Sequence, residues 1–139
     1  MDTIEMAVFT LTLTPRRAET DFNGHVTAIA YHEWADRARV AYLRRAGVAF
    51  VQGESGPVLL EARINYLNEI RFGDEITVSV EPDFGTGKTW RVRQRFLRSD
   101  GVLAARIESV WGLLDHSTRR LTEDPLHALT ALATDPGHL

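Results

Sequence analysis

The sequence predicts an α+β domain in which one long helix lies across a single face of an antiparallel sheet, and three observations lead there. A single stretch, Ala28 to Ala46, carries apolar residues at strong helical spacing. Five stretches alternate apolar with polar residues as half-buried strands do, and four of them follow the helix through short turns. The 139 residues suffice for one domain core and are too few for two ordinary ones.

From Ala7 to Thr14, the residues Ala7, Phe9, Leu11 and Leu13 share one face, with Val8, Thr10, Thr12 and Thr14 on the other. Periodicity is lost from Pro15 to Asn23, where Arg16, Arg17, Glu19, Asp21 and Asn23 give the composition of a loop. Thr27 suits a helix cap, and Tyr31, Trp34, Ala35, Ala38, Ala41 and Tyr42 form the apolar stripe of a helix of about five turns that Gly47 ends. A turn-rich Gly53–Pro57 precedes a strand in which Leu60, Ala62, Ile64 and Tyr66 alternate with Glu61, Arg63 and Asn65.

Phe72-Gly73-Asp74 reads as a turn into the alternation of Ile76, Val78 and Val80, and Gly85 to Lys88 as a second. Trp90, Val92, Gln94 and Phe96 then alternate with Arg91, Arg93 and Arg95; Ser99-Asp100-Gly101 turns the chain into a last apolar face from Leu103 to Leu113. These strands read as consecutive hairpins. The whole of 1–139 reads as one domain, with 116–139 as a C-terminal extension holding a short helix around Leu126–Ala133.

Composition excludes several classes. Sixteen Lys+Arg against nineteen Asp+Glu leave a charge of −3, which argues against nucleic acid as a partner, since counterion release needs a basic surface. Without cysteine there is no disulfide framework, thiolate nucleophile or cysteine metal site, and a reducing cytoplasm fits. Asp2 and Glu5 stand where a targeting segment would be basic, and no apolar run approaches the roughly 18 residues of a membrane span, so a cytoplasmic protein without leader or anchor is expected.

The histidines at 25, 32, 116, 127 and 138 show no metal-ligand spacing, and no metal is expected. Gly87-Lys88-Thr89 has Pro82 where a P-loop needs its first glycine, and Gly53-Glu54-Ser55-Gly56 is one residue short of a nucleophile elbow.

One run stands apart. Glu19-Thr20-Asp21-Phe22-Asn23-Gly24-His25-Val26 leads straight into the capped helix, so a carboxylate, a glycine bend and a helix N-terminus meet within a few residues. On the residues alone, Asp21 either stabilises the loop and helix start or is a functional carboxylate.

The stretch TDFNGHVTAIAYHEWADRARVAYL, together with YLNEIRFGDEITV, resembles the 4-hydroxybenzoyl-CoA thioesterase-like, YbgC/FadM-type branch of the hotdog-fold superfamily. The pattern D-x-x-G-x-V followed by helix aromatics is carried by Asp21, Gly24, Val26, Tyr31 and Trp34. The resemblance implies a five-stranded antiparallel sheet wrapped around a long central helix. It also implies hydrolysis of an acyl-CoA or acyl-carrier-protein thioester without a cofactor.

On that resemblance Asp21 is the general base or nucleophile, and the backbone N–H of Ala28 is the oxyanion donor. Gly24 lets the chain bend toward the thioester, while His25 orients the loop or touches substrate. Thr27 and Ala28 stand where many relatives have two asparagines. Tyr31 and Trp34 line part of the acyl pocket, Glu61 is a candidate second carboxylate, and Arg91 or Arg93 could meet the CoA phosphates. A homodimer or homotetramer with the site between subunits is implied, with no membrane partner. Two rival readings remain open: a hotdog enoyl-CoA hydratase, whose D-x-N-x-x-H motif Asp21-Phe22-Asn23 approaches with His25 one residue too early, and an acyl-CoA-binding module without turnover.

Overall fold

The computed structural model describes residues 8–50 and 54–139. The first alternating stretch forms strand β1 (Phe9–Leu13); Ala7 lies outside the described residues. A short 3-10 turn (Arg17–Glu19) leads to helix α1 (Ala28–Arg45), where the Thr27 hydroxyl accepts from the Ala30 N–H, and Gly47 at φ +70° turns the chain beyond its end. Four longer strands follow, β2 (Ser55–Tyr66), β3 (Ile76–Asp83), β4 (Thr89–Arg98) and β5 (Leu103–Asp115). The extension supplies β6 (Arg120–Leu121), paired with β5, and helix α2 (Pro125–Leu132). Among the described residues no helix is long and apolar enough to cross a membrane.

The strand order is β1-β3-β4-β5-β2, and every pairing is antiparallel. This corrects the reading of consecutive hairpins at one point: β2 pairs with β5, so residues 67–75 cross to the other side of the sheet instead of making a tight turn. Ser55–Pro57, expected in a turn, begin β2; Pro57 is tolerated there because β2 is an edge strand. In β2, Leu59 faces Trp111 and Glu61 faces Val110, leaving Leu60 as the extra residue of a bulge.

α1 crosses the face of the sheet that carries Val78, Phe96, Ile107 and Leu113, all at most 1% exposed. Ala30, Ala35 and Ala38 are small enough to let the helix backbone sit close to the strands, and Trp34 fills the space between. One polar side chain fixes the helix over the sheet. Gln94 is fully buried, donates to the Ala35 carbonyl at 3.0 Å and accepts from the Arg39 guanidinium at 2.8 Å. The opposite face carries crossed charges: Arg95 bonds Glu81, and Arg93 lies 3.6 Å from Glu108. α2 closes the far end with Leu129, which is buried in the same core.

Candidate active site

The segment before α1 is shaped by its main chain. Thr20 and Val26 pair across it, the Asp21 N–H donates to the His25 carbonyl at 2.9 Å, and the Gly24 N–H donates to the Asp21 carbonyl at 2.9 Å. This tight return needs a left-handed residue, and Gly24 supplies it at φ +76°. Two further bonds anchor the loop: Val26 N–H to the Ile70 carbonyl and Thr27 N–H to the Glu19 carbonyl, both 2.9 Å.

Within this frame one Asp21 oxygen, Oδ1, accepts from the Asn23 N–H at 2.9 Å and the His25 N–H at 3.2 Å. The other, Oδ2, has no partner among the described residues. At the helix start the Ala28 and Ile29 N–H groups likewise have none, as first-turn amides do not. Ala28 lines an open cleft of about 410 Å³ together with His25, Tyr31, Tyr66, Asn68 and Glu69.

The cleft walls are held by specific contacts. The His25 Nε2 lies 2.7 Å from Glu69 Oε2, and Glu69 Oε1 lies 2.8 Å from the Arg71 Nε. The Tyr31 ring meets Tyr66 edge-on at 5.1 Å and Phe96 at 5.5 Å. Burial, with a smaller push from Tyr66, raises the Tyr31 phenol to about 12, so it keeps its proton across the physiological range.

The structure brings only some of the expected residues together. His25, Ala28 and Tyr31 share the cleft, with Gly24 and Thr27 shaping the loop and helix start. Asp21 sits beside them on the loop but is exposed and does not line the cleft of a single chain. Trp34, expected in the acyl pocket, is instead sealed in the core. Glu61 is exposed on β2 beside the bulge, away from the cleft. Arg91 and Arg93 lie on the sheet face opposite α1, where Arg91 is in register with Asp83 and Arg93 is near Glu108. The cation beside the cleft is Arg71, and Arg17 stacks on Phe72 at 4.1 Å in the neighbouring turn.

Sequence reasoning missed two carboxylates. Glu69 lines the cleft and holds His25. Glu19 is 5% exposed beneath the loop, where it accepts from the Trp34 indole N–H at 2.7 Å and the Arg16 N–H at 2.8 Å. Burial alone would raise the Glu19 carboxyl, but the bonds from Arg16 and Trp34 outweigh it and hold the group below its ordinary value. The available signal was Glu19 falling two residues before Asp21 in a polar loop, and nothing in periodicity shows that a tryptophan fifteen residues later covers it.

The family model of the thioesterase-like superfamily matches residues 15–132. Among solved structures, a hypothetical protein from Thermus thermophilus is 25% identical, with a TM-score of 0.76 over 88% of this chain and 95% of that one. A 1,4-dihydroxy-2-naphthoyl-CoA thioesterase from Synechocystis aligns with a TM-score of 0.80 at 18% identity, over 90% and 95% of the two chains. A hypothetical protein from Staphylococcus aureus in complex with CoA aligns with a TM-score of 0.79 at 23% identity, over 90% and 80%. No curated protein sequence matches. The last two likenesses are of fold, whereas the family model spans most of the chain. With the sheet wrapped on its helix and the open amides at that helix's start, the match shows that the chain belongs to the thioesterase-like superfamily and is a hotdog-fold thioester hydrolase.

Proposed function

We propose that the protein hydrolyses an acyl-CoA or acyl-carrier-protein thioester beside the start of α1, with Asp21 as the reacting carboxylate and the Ala28 N–H as the oxyanion donor. The observation that carries this reading is the pairing of a half-used carboxylate with unpartnered helix amides on one short loop. A thioester carbonyl set against the Ala28 N–H meets an oriented donor and the positive end of α1, which favour the charge that develops on oxygen. Asp21 Oδ2 then takes a proton from an attacking water, or attacks the carbonyl carbon itself. In the first route the water oxygen bonds to carbon, the carbon–sulfur bond breaks, and the thiolate leaves as thiol with the proton that Asp21 removed. A thiolate is a good leaving group, so this set of groups suffices.

The site is completed by a second copy of the chain. Asp21 and its neighbour Phe22, 99% exposed, stand at the surface of a single chain, and Tyr66 and Leu67 of the cleft are about half exposed. β2 offers a twelve-residue open edge bearing the half-exposed Leu59 and Leu60. A partner seated there encloses the Asp21 loop and removes water from the thioester. The Staphylococcus aureus neighbour in complex with CoA and the Synechocystis naphthoyl-CoA thioesterase support a CoA-type carrier.

The test is thiol release over a panel of acyl-CoA and acyl-carrier-protein esters by wild type and Asp21→Asn. The variant is expected to be at least about a hundredfold slower with its fold intact, the usual contribution of a positioned base. Unchanged turnover removes Asp21 from this role. Hydration of crotonyl-CoA without thiol release would favour a hydratase, and ester binding without any turnover a binding module.

A further inference from the structure

A second cavity, of about 190 Å³ and partly open to solvent, lies toward the other end of α1, lined by that helix, Pro57 of β2, the ends of β3, β4 and β5, and α2. Along α1 it is separated from the cleft by Trp34 and Ala35, neither of which has any solvent exposure. Its walls are apolar and aromatic, with Phe84, Trp90, Trp111 and Leu129 among them, yet Arg39 is part of the lining.

The Arg39 guanidinium is only partly compensated. It lies over the Trp111 ring at 4.7 Å and donates from Nη1 to Gln94, while its nearest carboxylate, Asp36, is 3.6 Å from Nη2 and itself 65% exposed. Among the described residues its buried Nε–H has no partner, and neither has the Tyr42 hydroxyl on the next turn of the same helix. Two unpaired buried polar groups beside one cavity are uncommon in a folded core and call for an acceptor that the described residues do not provide. Burial also holds the Arg39 guanidinium below its ordinary value, with Asp36 opposing that shift.

We propose that this cavity is a second ligand site, separate from the thioester cleft, that takes a small carboxylate with a ring or short-chain apolar body. The carboxylate sits against Arg39, where a small torsional adjustment of the guanidinium lets it accept from the unpaired Nε–H, and the body packs on Trp90 and Trp111. The charge selects an anion, the aromatic walls select an apolar body, and the volume, below the roughly 300–1,000 Å³ of drug-sized sites, limits that body to a ring or short chain. The inference does not rest on the thioesterase reading, because none of the cleft residues contributes to it.

Calorimetric titration with cyclohexanecarboxylate and hexanoate, against the matching neutral amides, tests the proposal. The acids should bind saturably and the amides at least about tenfold more weakly, the ratio expected for one charge-assisted hydrogen bond. Arg39→Met should remove that binding phase, and Leu129→Phe, which fills the cavity while keeping Arg39, should weaken it. Ala28→Trp, which crowds the cleft, should leave it unchanged, and Trp90 and Trp111 should report the same phase by fluorescence. If Arg39→Met does not fold, the acid-to-amide ratio and Leu129→Phe decide. No saturable binding, equal binding of acid and amide, indifference to Leu129→Phe, or loss in Ala28→Trp would each overturn the proposal.

Discussion

At Glu19 the loop before α1 meets the core, and its carboxylate carries a testable pH signature. Because its folded value lies below the ordinary 4.5, Glu19 stabilises the protein fully above that pH and loses the contribution as pH falls through the lower folded value. Glu19→Gln is therefore expected to cost about 1–3 kcal/mol at neutral pH, mainly by weakening the bonds from Arg16 and Trp34. Urea midpoints of both proteins should converge as the pH is lowered toward 3; a constant gap would mean that the carboxylate's charge is irrelevant. The contrast with Asp21 shows what a sequence makes legible. Asp21, Gly24 and the capping Thr27 could be picked out because their work is local: a turn, a left-handed bend, a helix start. Glu19, Glu69 and the true setting of Trp34 could not, because each depends on a partner brought in by the fold, the indole to Glu19 and the imidazole to Glu69.

Between elements, the same limit separates alternation from pairing. Period-two patterns located the strands from β2 to β5 correctly, but they carry no information about which edge meets which, so β2 was read beside β3 when it lies against β5. Sequence punctuation was more dependable at the end of α1. Gly47 adopts φ +70°, and a methyl group there would stand 1.8 Å from the Thr134 Oγ1 and 3.1 Å from its backbone nitrogen. Gly47→Ala is expected to cost about 1–2 kcal/mol in backbone strain alone, plus the displacement of Thr134. Thermal unfolding should drop by several degrees, and hydrogen exchange should rise at Thr134 and Asp135, whose N–H groups donate to Gly47 and Ala46. If exchange there stays slow, the two segments are not coupled as described.

In the proposed assembly of two chains, the decisive surface is the β2 edge. Leu60, the extra residue of the bulge, is 50% exposed and lies apart from the cleft, so Leu60→Glu should leave the chain folded while opposing self-association. Sedimentation is expected to show monomers, and thiol release should fall with the loss of the partner; full activity in a monomer would mean that one chain holds the whole site. At the opposite end, Val48 pairs with Ala133, and the Thr134 and Asp135 N–H groups close onto Gly47 and Ala46. The stitching that fastens the bottom of the long helix is thus made by residues that lie beyond every described strand in the sequence. A chain cleaved just before Ala133 keeps every described strand yet leaves that seam undone, so the tail that follows the sheet acts as a latch on the helix rather than as an appendage.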